Sequence, residues 1–525
     1  MLHSPNPFVP VTASLADLAG APYAEAVAQA RAALTGEPIA PLLALAHQAV
    51  EFLPAAFLAR QHQLLDRIGR PLAPALPGAS ASGAPTRMFH AASQPALAPL
   101  SALGVVRVGE DGRAFFIAKS EHYHTPLGHG FPGYTLLDHA RRLGIPNATH
   151  NNTRGHLTRR LEEELVAAAN GFDPADSAAL GALRDRAEPG LCNRVLNLET
   201  GSLAVEAALK MILARFHCLD PASPVPPYAG RGPVLLVMGD DAGAPTGNYH
   251  GTTVLAQTLR GMWPDFAAAA GQSGLYRIRP IRPNCTADLD AAFASVDDGR
   301  HRIAGFFHEI VMMNYGARLL RPEFLRHAYE LCRRHDVPVV ADEIQSCLWH
   351  HEFFLHREYG LTPSFIAVGK GFPGGEYPAS RLIFSAAYDC LPQFGALVTN
   401  GQEELASLAY LVTMRWARAN AAVTRALGDL YEARLRELAA RQADQIAAVE
   451  GRRHLAALCF HSLATAKAFV RRLLARGLDV SAQTYKADCP PAVLTKLPLL
   501  TTAPMIDFVL AQLRAALREE TTTDV

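Results

Sequence analysis

The sequence predicts an α/β protein whose centre is a mainly parallel sheet. Two short apolar runs, at residues 338–342 and 365–370, have the length and composition of buried strands. Helical spacing over residues 322–335 leads the chain back to the first of these runs, as in a β-α-β unit. Asp342 and Lys370 stand at the ends of the two runs. Because the carboxyl ends of parallel strands meet at one edge of a sheet, where ligands bind, we expect this acid and this amine to face one crevice.

The other elements are predicted from apolar spacing and from turn residues. A chain of 525 residues exceeds the size at which one hydrophobic core stops growing, so at least two domains are expected. Residues 16–70 show helical spacing, whereas residues 71–85 are rich in Pro, Ala, Gly and Ser and indicate a linker. The remaining predicted elements are a hairpin of 105–108 with 113–117, helices at 157–170, 203–216, 402–441, 463–476 and 504–518, and strands at 234–238, 302–310, 381–385, 455–461 and 478–483.

Charge and cysteine content exclude several classes of protein. Lys+Arg and Asp+Glu number 49 each, so bulk charge gives no indication of a nucleic-acid or membrane-surface partner. Residues 1–7 lack the basic and apolar parts of a signal peptide, and the apolar stretch at 41–60 is interrupted by His47, Glu51 and Pro54. The eight cysteines include no C-x-x-C pair, which argues against a zinc site and a disulfide scaffold. We expect a soluble cytoplasmic protein.

The pair formed by Asp342 and Lys370 indicates pyridoxal phosphate (PLP) as a cofactor. PLP needs a lysine for its Schiff base, and it needs a carboxylate that keeps its pyridine nitrogen protonated so that the ring withdraws electrons. A strand-end aspartate alone is common, and a strand-end lysine is usually a surface charge. Only six of the 49 basic residues are lysines, however, which gives a lysine inside an apolar run more weight.

These residues lie in segments that resemble the class III aminotransferases, which are PLP enzymes of fold type I. The segment Ala341-Asp342-Glu343-Ile344-Gln345-Ser346 is similar to the family's F-D-E-V-Q-T, and the segment from Gly369 to Gly375 is similar to A-K-G-L-G-G-G. Lys370 follows Asp342 by 28 positions, which is also the family's spacing. The resemblance covers about residues 100–520 and implies a PLP-dependent transferase in which Lys370 carries the cofactor as a Schiff base.

Two further segments are implied to hold the cofactor phosphate. Leu198-Glu199-Thr200-Gly201-Ser202 opens a predicted helix and resembles the family's S-G-T-E-A-N-E-A, which assigns Gly201 and Ser202 to the phosphate. A helix N-terminus suits an anion because its N–H groups are unpaired, although Ser202 could also be an ordinary N-cap. Thr399 opens a segment like T-F-G-G-N-P-L-A, whose threonine reaches the phosphate of the neighbouring subunit. That resemblance implies a homodimer with its site at the interface, although Thr-Asn-Gly alone would be read as a turn.

Three side chains are implied to contact the cofactor ring. Tyr249 and His250 lie in a segment that resembles the family's Y-H-G-R-T, where the aromatic residue covers the ring, a position that suits a flat heterocycle. Gln345 matches the family glutamine that hydrogen-bonds the phenolic oxygen. The resemblance further divides the chain into a helical extension and linker (1–99), the first part of a small domain (100–175), a large PLP-binding domain (176–400), and an interdomain helix with the rest of the small domain (401–525).

The resemblance is weaker where the family binds its substrates. Glu309 matches the start of E-P-V-Q-G-E-G-G, but Asn314 replaces the second glutamate of that motif. Leu494 stands where the family has its carboxylate-binding arginine, and Lys496 is the nearest cation. A lysine does not reproduce a bidentate guanidinium clamp. We therefore assign only a weak substrate role to Glu309 and Lys496.

The sequence leaves the reaction partly open. The resemblance implies transfer of an amino group between an amino acid or amine and a keto acid or aldehyde. Decarboxylation, racemisation, intramolecular amino transfer and carbon–carbon bond formation remain alternatives, and a non-catalytic subunit that keeps the fold is a further one. We expect no metal site, because the candidate histidines lie among Gly, Asn and Thr in segments that read as loop; they are His124, His129, His150 and His156.

Overall fold

The computed structural model describes residues 4–77, 83–148, 150, 152–296, 298–399, 401–484 and 489–519. Residues 78–82 of the predicted linker lie outside the described residues. The helices are Leu15–Ala19, Ala21–Thr35, Ile39–Ala46, Ala55–Leu64, Arg87–Ala92, Thr135–Arg142, His156–Asn170, Ser177–Arg184, Gly201–Leu213, Val254–Thr258, Pro264–Gln272, Thr286–Val296, Pro322–Arg334, Leu355–Glu358, Glu404–Ala419, Ala421–Ala440, Leu463–Ala475 and Ala503–Arg518.

A seven-stranded sheet forms the centre of the described chain. In chain order its strands are β1 (Cys192–Leu198), β2 (Gly232–Met238), β3 (Arg277–Ile281), β4 (His301–His308), β5 (Val339–Asp342), β6 (Phe365–Val368) and β7 (Ser380–Ser385). Their order across the sheet is β1-β7-β6-β5-β4-β2-β3. Only β7 runs antiparallel to its neighbours, so the predicted mainly parallel α/β sheet is confirmed.

The two central strands β5 and β6 explain why Asp342 and Lys370 come together. Every residue of both strands is buried, which accounts for their continuous apolar sequence. They pair in parallel, with Asp342 opposite Ala367, so both chains leave the sheet at the same edge. Asp342 is the last residue of β5, and Lys370 follows the end of β6 by two positions. The predicted crevice at this edge is the place where both side chains lie.

Two smaller sheets join the beginning and the end of the chain. The predicted hairpin is present as Val106–Gly109 with Ala114–Phe116, and Pro99–Leu103 adds a third strand. The four-stranded sheet has the order Ile446–Arg452, Leu455–Phe460, Ala492–Lys496, Ser481–Ala482. Ala118 O accepts a 2.8 Å hydrogen bond from Lys496 N, which links the segment after the hairpin to this sheet.

The predicted helix over residues 402–441 is wrong in one respect. The chain forms two helices there, Glu404–Ala419 and Ala421–Ala440, which meet at Asn420. The Asn420 amide accepts a 2.7 Å bond from Val9 N and donates to Val9 O at 3.3 Å. This bond joins residues 411 positions apart, so no local pattern could indicate the break.

The helical extension packs against the rest of the chain. Phe8 contacts Trp416 with ring centroids 5.4 Å apart, and Phe52 meets Phe131 edge-on at 6.1 Å. His62 Nε2 forms a 2.8 Å hydrogen bond with Thr502 Oγ1 near the other end of the chain. These contacts make the extension part of the main hydrophobic core. Among the described residues, no helix has both the length and the apolar character that crossing a membrane requires.

Candidate active site

A cavity of about 270 Å³ opens at the carboxyl edge of β5 and β6. The segments that line it come from the N-terminus of the helix Gly201–Leu213, the loop after β2, the ends of β5 and β6, and the start of β7. Most of the residues predicted from the sequence lie on its wall, and they are Gly201, Ser202, Tyr249, His250, Asp342, Gln345 and Lys370.

Asp342 is held in place by a buried histidine. Its Oδ2 atom lies 2.8 Å from His250 Nδ1, and its Oδ1 atom accepts a 3.2 Å bond from Ile344 N. Because an ionised carboxylate can only accept, Nδ1 carries the shared proton. The other ring nitrogen, His250 Nε2, is buried and has no hydrogen-bond partner among the described residues. Asp342 therefore presents an oriented negative charge to the cavity.

Lys370 sits in an unusual backbone conformation above this acid. Its φ of 41° lies in the left-handed region, which costs free energy in a residue with a side chain and often marks a functional site. The residue is half-buried, with Nζ 5.0 Å from the centroid of the Tyr123 ring. Burial lowers the pKa of Lys370, and the negative charges of Glu309 and Asp342 only partly offset this effect. A lowered pKa favours the neutral amine, which is the nucleophilic form.

The start of the helix Gly201–Leu213 and the loop at Gly251 form a narrow polar cradle. Thr252 N donates a 3.1 Å hydrogen bond to Ser202 Oγ. Gly251 has a φ of 125°, and a Cβ atom there would lie 2.8 Å from Ser202 Cα, so only glycine permits this approach. The N-cap of the helix is Thr200, whose side chain accepts from Leu203 N, and the alternative that placed Ser202 at the cap is wrong. Ser202 is thereby left in the first turn, where it faces the cavity.

Tyr249 and Gln345 contribute two further walls. The Arg260 guanidinium lies 4.5 Å from the centroid of the Tyr249 ring, and this cation–π contact helps to orient the ring. Gln345 Nε2 donates a 3.2 Å bond to Glu309 Oε2, whereas Gln345 Oε1 is buried and has no hydrogen-bond partner within the described part of the chain.

Three predicted residues do not line the cavity. Thr399 is exposed at the surface. Glu309 lies behind Gln345, and Lys496 is fully buried with its Nζ hydrogen-bonded to Gln345 O. The one acid and the one cation assigned to substrate from the sequence are therefore not among the residues that line the cavity.

The sequence analysis missed Tyr123 and Lys119, which lie beside Lys370. They belong to a turn in which four consecutive residues, Ser120–Tyr123, all have φ between 46° and 78°. No glycine marks this left-handed turn, so its sequence carries no signal for it. The sequence offers one indication for Lys119, which is that lysine is rare in this chain. Three of the six lysines lie around the Tyr123 ring.

Metal-ligand residues meet elsewhere in the described chain, at His350, His351 and Glu358. The Glu358 carboxylate already accepts from the guanidinium groups of Arg452 and Arg453, the latter at 2.8 Å. Two fixed positive charges beside the carboxylate disfavour a further cation. This group therefore reads as an ion-pair network.

Glu343, next to Asp342, anchors the loop that follows β5. Its fully buried carboxylate accepts from His356 N and His356 Nδ1, both at 2.8 Å, from Leu355 N at 2.7 Å and from Ser346 Oγ at 3.0 Å. Burial alone would raise its pKa, but the bonds from His356 and the backbone bring the pKa below the ordinary 4.5. The carboxylate therefore stabilises the fold at neutral pH, and this contribution is lost as the pH falls through the folded-state pKa below 4.5.

Replacing Glu343 with glutamine is expected to destabilise the protein by about 1–3 kcal/mol, because the amide leaves buried donors unpaired. Urea denaturation at neutral pH measures the free energy of unfolding of the variant and of the unchanged protein. The difference between these two values should become smaller below pH 4.5. The matched control is Glu437→Gln, where the carboxylate is exposed and its one ion-pair partner among the described residues is Arg441. Equal stability of the two variants would contradict this role.

The residues present at the cavity fit PLP. An oriented carboxylate, an amine of lowered pKa, an aromatic wall and a cradle at a helix N-terminus correspond to its ring nitrogen, aldehyde, ring face and phosphate. The buried Gln345 Oε1 and His250 Nε2 atoms are polar groups that a bound ligand or water would satisfy.

A sequence model described as Aminotransferase class-III matches residues 163–517. The chain belongs to the class III aminotransferases. Members of this family are PLP-dependent transferases, so the predicted family and its cofactor are confirmed. The match begins before β1 and ends in the last helix, and so includes the whole central sheet.

Individual class III aminotransferases share only low sequence identity with this chain. The chain is 27% identical over 330 residues to ornithine aminotransferase of Bordetella pertussis, which covers 61% of this chain and 72% of that protein. It is also 27% identical over 274 residues to adenosylmethionine-8-amino-7-oxononanoate aminotransferase of Geobacter sulfurreducens, covering 46% of this chain and 55% of the relative. The chain thus spans about half the length of the second protein.

Solved structures of class III aminotransferases share the fold. An ornithine aminotransferase from Toxoplasma gondii has a TM-score of 0.63 at 19% identity, covering 81% of this chain and 91% of that one. Adenosylmethionine-8-amino-7-oxononanoate aminotransferase from Methanocaldococcus jannaschii has a TM-score of 0.63 at 16% identity, with coverage of 88% and 99%. Another T. gondii structure is described as having partial occupancy of PLP at the active site. The fold type I α/β architecture is therefore confirmed.

Proposed function

We propose that this chain is a PLP-dependent aminotransferase that moves an amino group between an amino acid or amine and a keto acid or aldehyde. The observation that carries the proposal is the meeting of Asp342 and Lys370 in one cavity, with Asp342 fixed by His250 at 2.8 Å. The acid and the amine have the chemistry and the common placement that the reaction needs.

Each wall of the cavity has a proposed task. Bound PLP supplies an electron-withdrawing ring that weakens bonds at the carbon bearing the amino group. Asp342 holds the proton on the ring nitrogen, and His250 holds Asp342. Tyr249 covers one face of the ring, and Gln345 contacts the phenolic oxygen. Gly201 and Ser202 bind the phosphate through the helix N-terminus.

Lys370 has two tasks in this proposal. Its neutral amine would hold the PLP aldehyde as a Schiff base, with loss of water. When a substrate amine takes its place on the cofactor, the Lys370 Nζ would be the group that moves a proton at the substrate carbon. Burial, which lowers the pKa of Lys370, suits both tasks because each uses the unprotonated amine.

The substrate is proposed only by class. In the strand Ala492–Lys496 the apolar Leu494 stands where the family binds a carboxylate, and neither Lys496 nor Glu309 lines the cavity. This arrangement favours a substrate that does not depend on an arginine–carboxylate clamp at that position. PLP reactions other than transamination stay as alternatives, namely decarboxylation, racemisation, aminomutase chemistry and carbon–carbon bond formation.

We propose that the protein acts as a homodimer. The support is that Thr399 is exposed and stands away from its own chain's cavity, as expected of a residue that reaches a neighbouring subunit. A cytoplasmic location is proposed as well, because all eight cysteines are free thiols.

A spectroscopic experiment tests the reaction. Purified protein loaded with PLP is expected to show a visible absorbance band, which a suitable amine donor abolishes and a keto acid restores. Loss of carbon dioxide, or racemisation without conversion to pyridoxamine phosphate, would replace transamination by a different PLP reaction. Absence of any band after incubation with PLP would contradict the proposal, and would favour a non-catalytic subunit.

Replacing Gly251 with alanine is expected to weaken PLP binding by about tenfold or more, the equivalent of about 1.4 kcal/mol. The new methyl group would lie 2.8 Å from Ser202 Cα, at a φ of 125° that side chains rarely adopt. Titration of the apoprotein with PLP measures the change. Gly181→Ala is the control, since nothing lies within 4 Å of its Cβ position, and equal affinities would contradict the cradle assignment.

A further inference from the structure

One cavity residue has no task in the proposed function, and a strained turn carries it. His124 lines the cavity, and among the described lining residues it alone precedes Glu199. It follows directly on the left-handed turn Ser120–Tyr123, in which every residue has a positive φ. This conformation costs free energy in residues with side chains, and it persists only where the surroundings hold it. The contacts that hold the turn therefore decide where His124 lies.

Both ends of the turn are anchored near the cavity. Ser120 Oγ donates to Lys496 O at 2.6 Å, which joins the start of the turn to the four-stranded sheet. Just after the turn, Thr125 lies against Gly375 in the loop that follows Lys370. A Cβ atom at Gly375 would lie 2.9 Å from Thr125 Cγ2, and the φ there is 85°. Glycine at this position lets the turn approach the lysine loop closely.

The middle of the turn is held by His129. Its Nε2 atom lies 2.8 Å from a carboxylate oxygen of Glu121, which also pairs with Arg107. The His129 backbone is fixed by Gly104, because Gly104 N donates to His129 O at 2.7 Å and His129 N donates to Gly104 O at 2.8 Å. The position of Glu121 in the turn thus depends on that of Gly104.

Gln61 of the helical extension fixes the backbone at Gly104. Its side chain projects from the helix Ala55–Leu64 and is fully buried. The Gln61 Oε1 atom accepts a 3.0 Å bond from Val105 N. Gly104 has a φ of 55°, and a Cβ atom there would overlap Gln61 Cδ, so only glycine fits. Val105 O accepts a 3.0 Å bond from Ile117 N, just ahead of the left-handed turn. Gln61 is therefore connected with the turn from both sides.

We infer that Gln61 is a positioning residue for the substrate side of the cavity, acting through His129 on the turn that places His124 on the cavity wall. This inference rests on the proposed function, which supplies the substrate class, an amine or amino acid. It gives the helical extension a part in building the active site, beyond its contribution to the hydrophobic core.

Hydrogen exchange of the full-length apoprotein, read by peptide mass spectrometry, tests the link to the turn. The amides of Tyr123 and His124 report on the turn, because each donates to a carbonyl four residues earlier. In Gln61→Met, which keeps the side-chain length but removes the amide, their exchange is expected to be about tenfold faster. Exchange in β2 should not change. Gln63→Met is the matched control, because Gln63 is exposed on the same helix, and it should leave the turn unaffected.

Steady-state kinetics of the PLP-loaded protein tests the link to the substrate, with the amine donor that converts the absorbance band. Gln61→Met should raise KM for this donor about fivefold or more and change kcat by less than about twofold, since Lys370 stays in place. His129→Leu should have the same effects on exchange and KM. His129→Gln should restore both in part, because its amide can still donate to Glu121. The two His129 variants decide the matter if Gln61→Met does not fold.

The outcomes separate this inference from the proposed function. Unchanged exchange of the turn in Gln61→Met and His129→Leu would overturn the inference, even in an active aminotransferase. Equally faster exchange in the turn and in β2 would overturn it too, since this would show a general loss of stability. Faster exchange confined to the turn, with KM unchanged, would contradict the substrate role. If no amine converts the band, the proposed reaction fails, and the exchange data alone decide whether Gln61 holds the turn.

Discussion

Replacing Lys370 with alanine is expected to abolish covalent attachment of PLP and to lower turnover at least about 10³-fold. The variant loses the amine that bonds to the cofactor and, with it, the base that moves the substrate proton. The side chain lines the cavity with its Nζ 5.0 Å from the centroid of the Tyr123 ring. Visible absorbance and single-turnover kinetics measure the two losses.

The control for this variant is Lys467→Ala. Lys467 lies exposed on the helix Leu463–Ala475 and should retain both the absorbance band and full activity. A small amine added to this variant can act as a substitute base, and partial recovery of turnover would separate loss of proton transfer from loss of folding. A Lys370→Ala protein that binds PLP covalently would contradict the site assignment.

Replacing Asp342 with asparagine is expected to lower turnover by about 10²- to 10³-fold while leaving attachment at Lys370 in place. An amide cannot supply the negative charge that keeps the ring nitrogen protonated, and a neighbouring carboxylate is worth about one to three pKa units. The variant also loses the charged partner of His250, which now stands 2.8 Å from the carboxylate. Kinetics and the pH dependence of the absorbance band measure the effect.

A second aspartate–histidine pair gives the matched control. Asp290 accepts a 2.7 Å bond from His327 at the protein surface, so Asp290→Asn removes the same kind of interaction away from the cavity. It should leave turnover unchanged. A similar loss of activity in both variants, or no loss in Asp342→Asn, would contradict the role assigned to Asp342.

The part of the site that local sequence could predict is the part built at strand ends. Asp342 and Lys370 stand at the ends of short apolar runs. A parallel strand that is covered on both faces is apolar along its whole length, so such a run can be recognised in the sequence. The segment Leu198–Ser202 likewise indicates a helix start, although Thr200 rather than Ser202 provides the cap. An offset of two residues at a helix start is smaller than side-chain preference alone can resolve.

The features that sequence could not predict depend on distant contacts. The left-handed turn Ser120–Tyr123 contains no glycine and is held by Lys496, which follows it by more than 370 positions. Asn420 interrupts a helical pattern because it binds the backbone of Val9. The strand Ile446–Arg452, which was not predicted from the sequence, pairs along Leu455–Phe460. In each case tertiary hydrogen bonds override local preference.

The residues assigned to substrate also show that local sequence does not predict features that depend on distant contacts. Glu309 and Lys496 were assigned to substrate from motif position, but both lie behind the cavity wall, joined to Gln345. Position along a strand does not specify whether a long side chain ends on the wall or beneath it. The Lys370 and Asp342 variants test the residues that do line the cavity.

The most direct test of the account is to find the lysine that carries PLP. Borohydride reduction of the loaded protein makes the attachment permanent, and peptide mass spectrometry then locates it. The account predicts modification at Lys370 and at neither Lys119 nor Lys496, although all three amines lie around one ring. Modification at another lysine, or at none, would contradict the central claim.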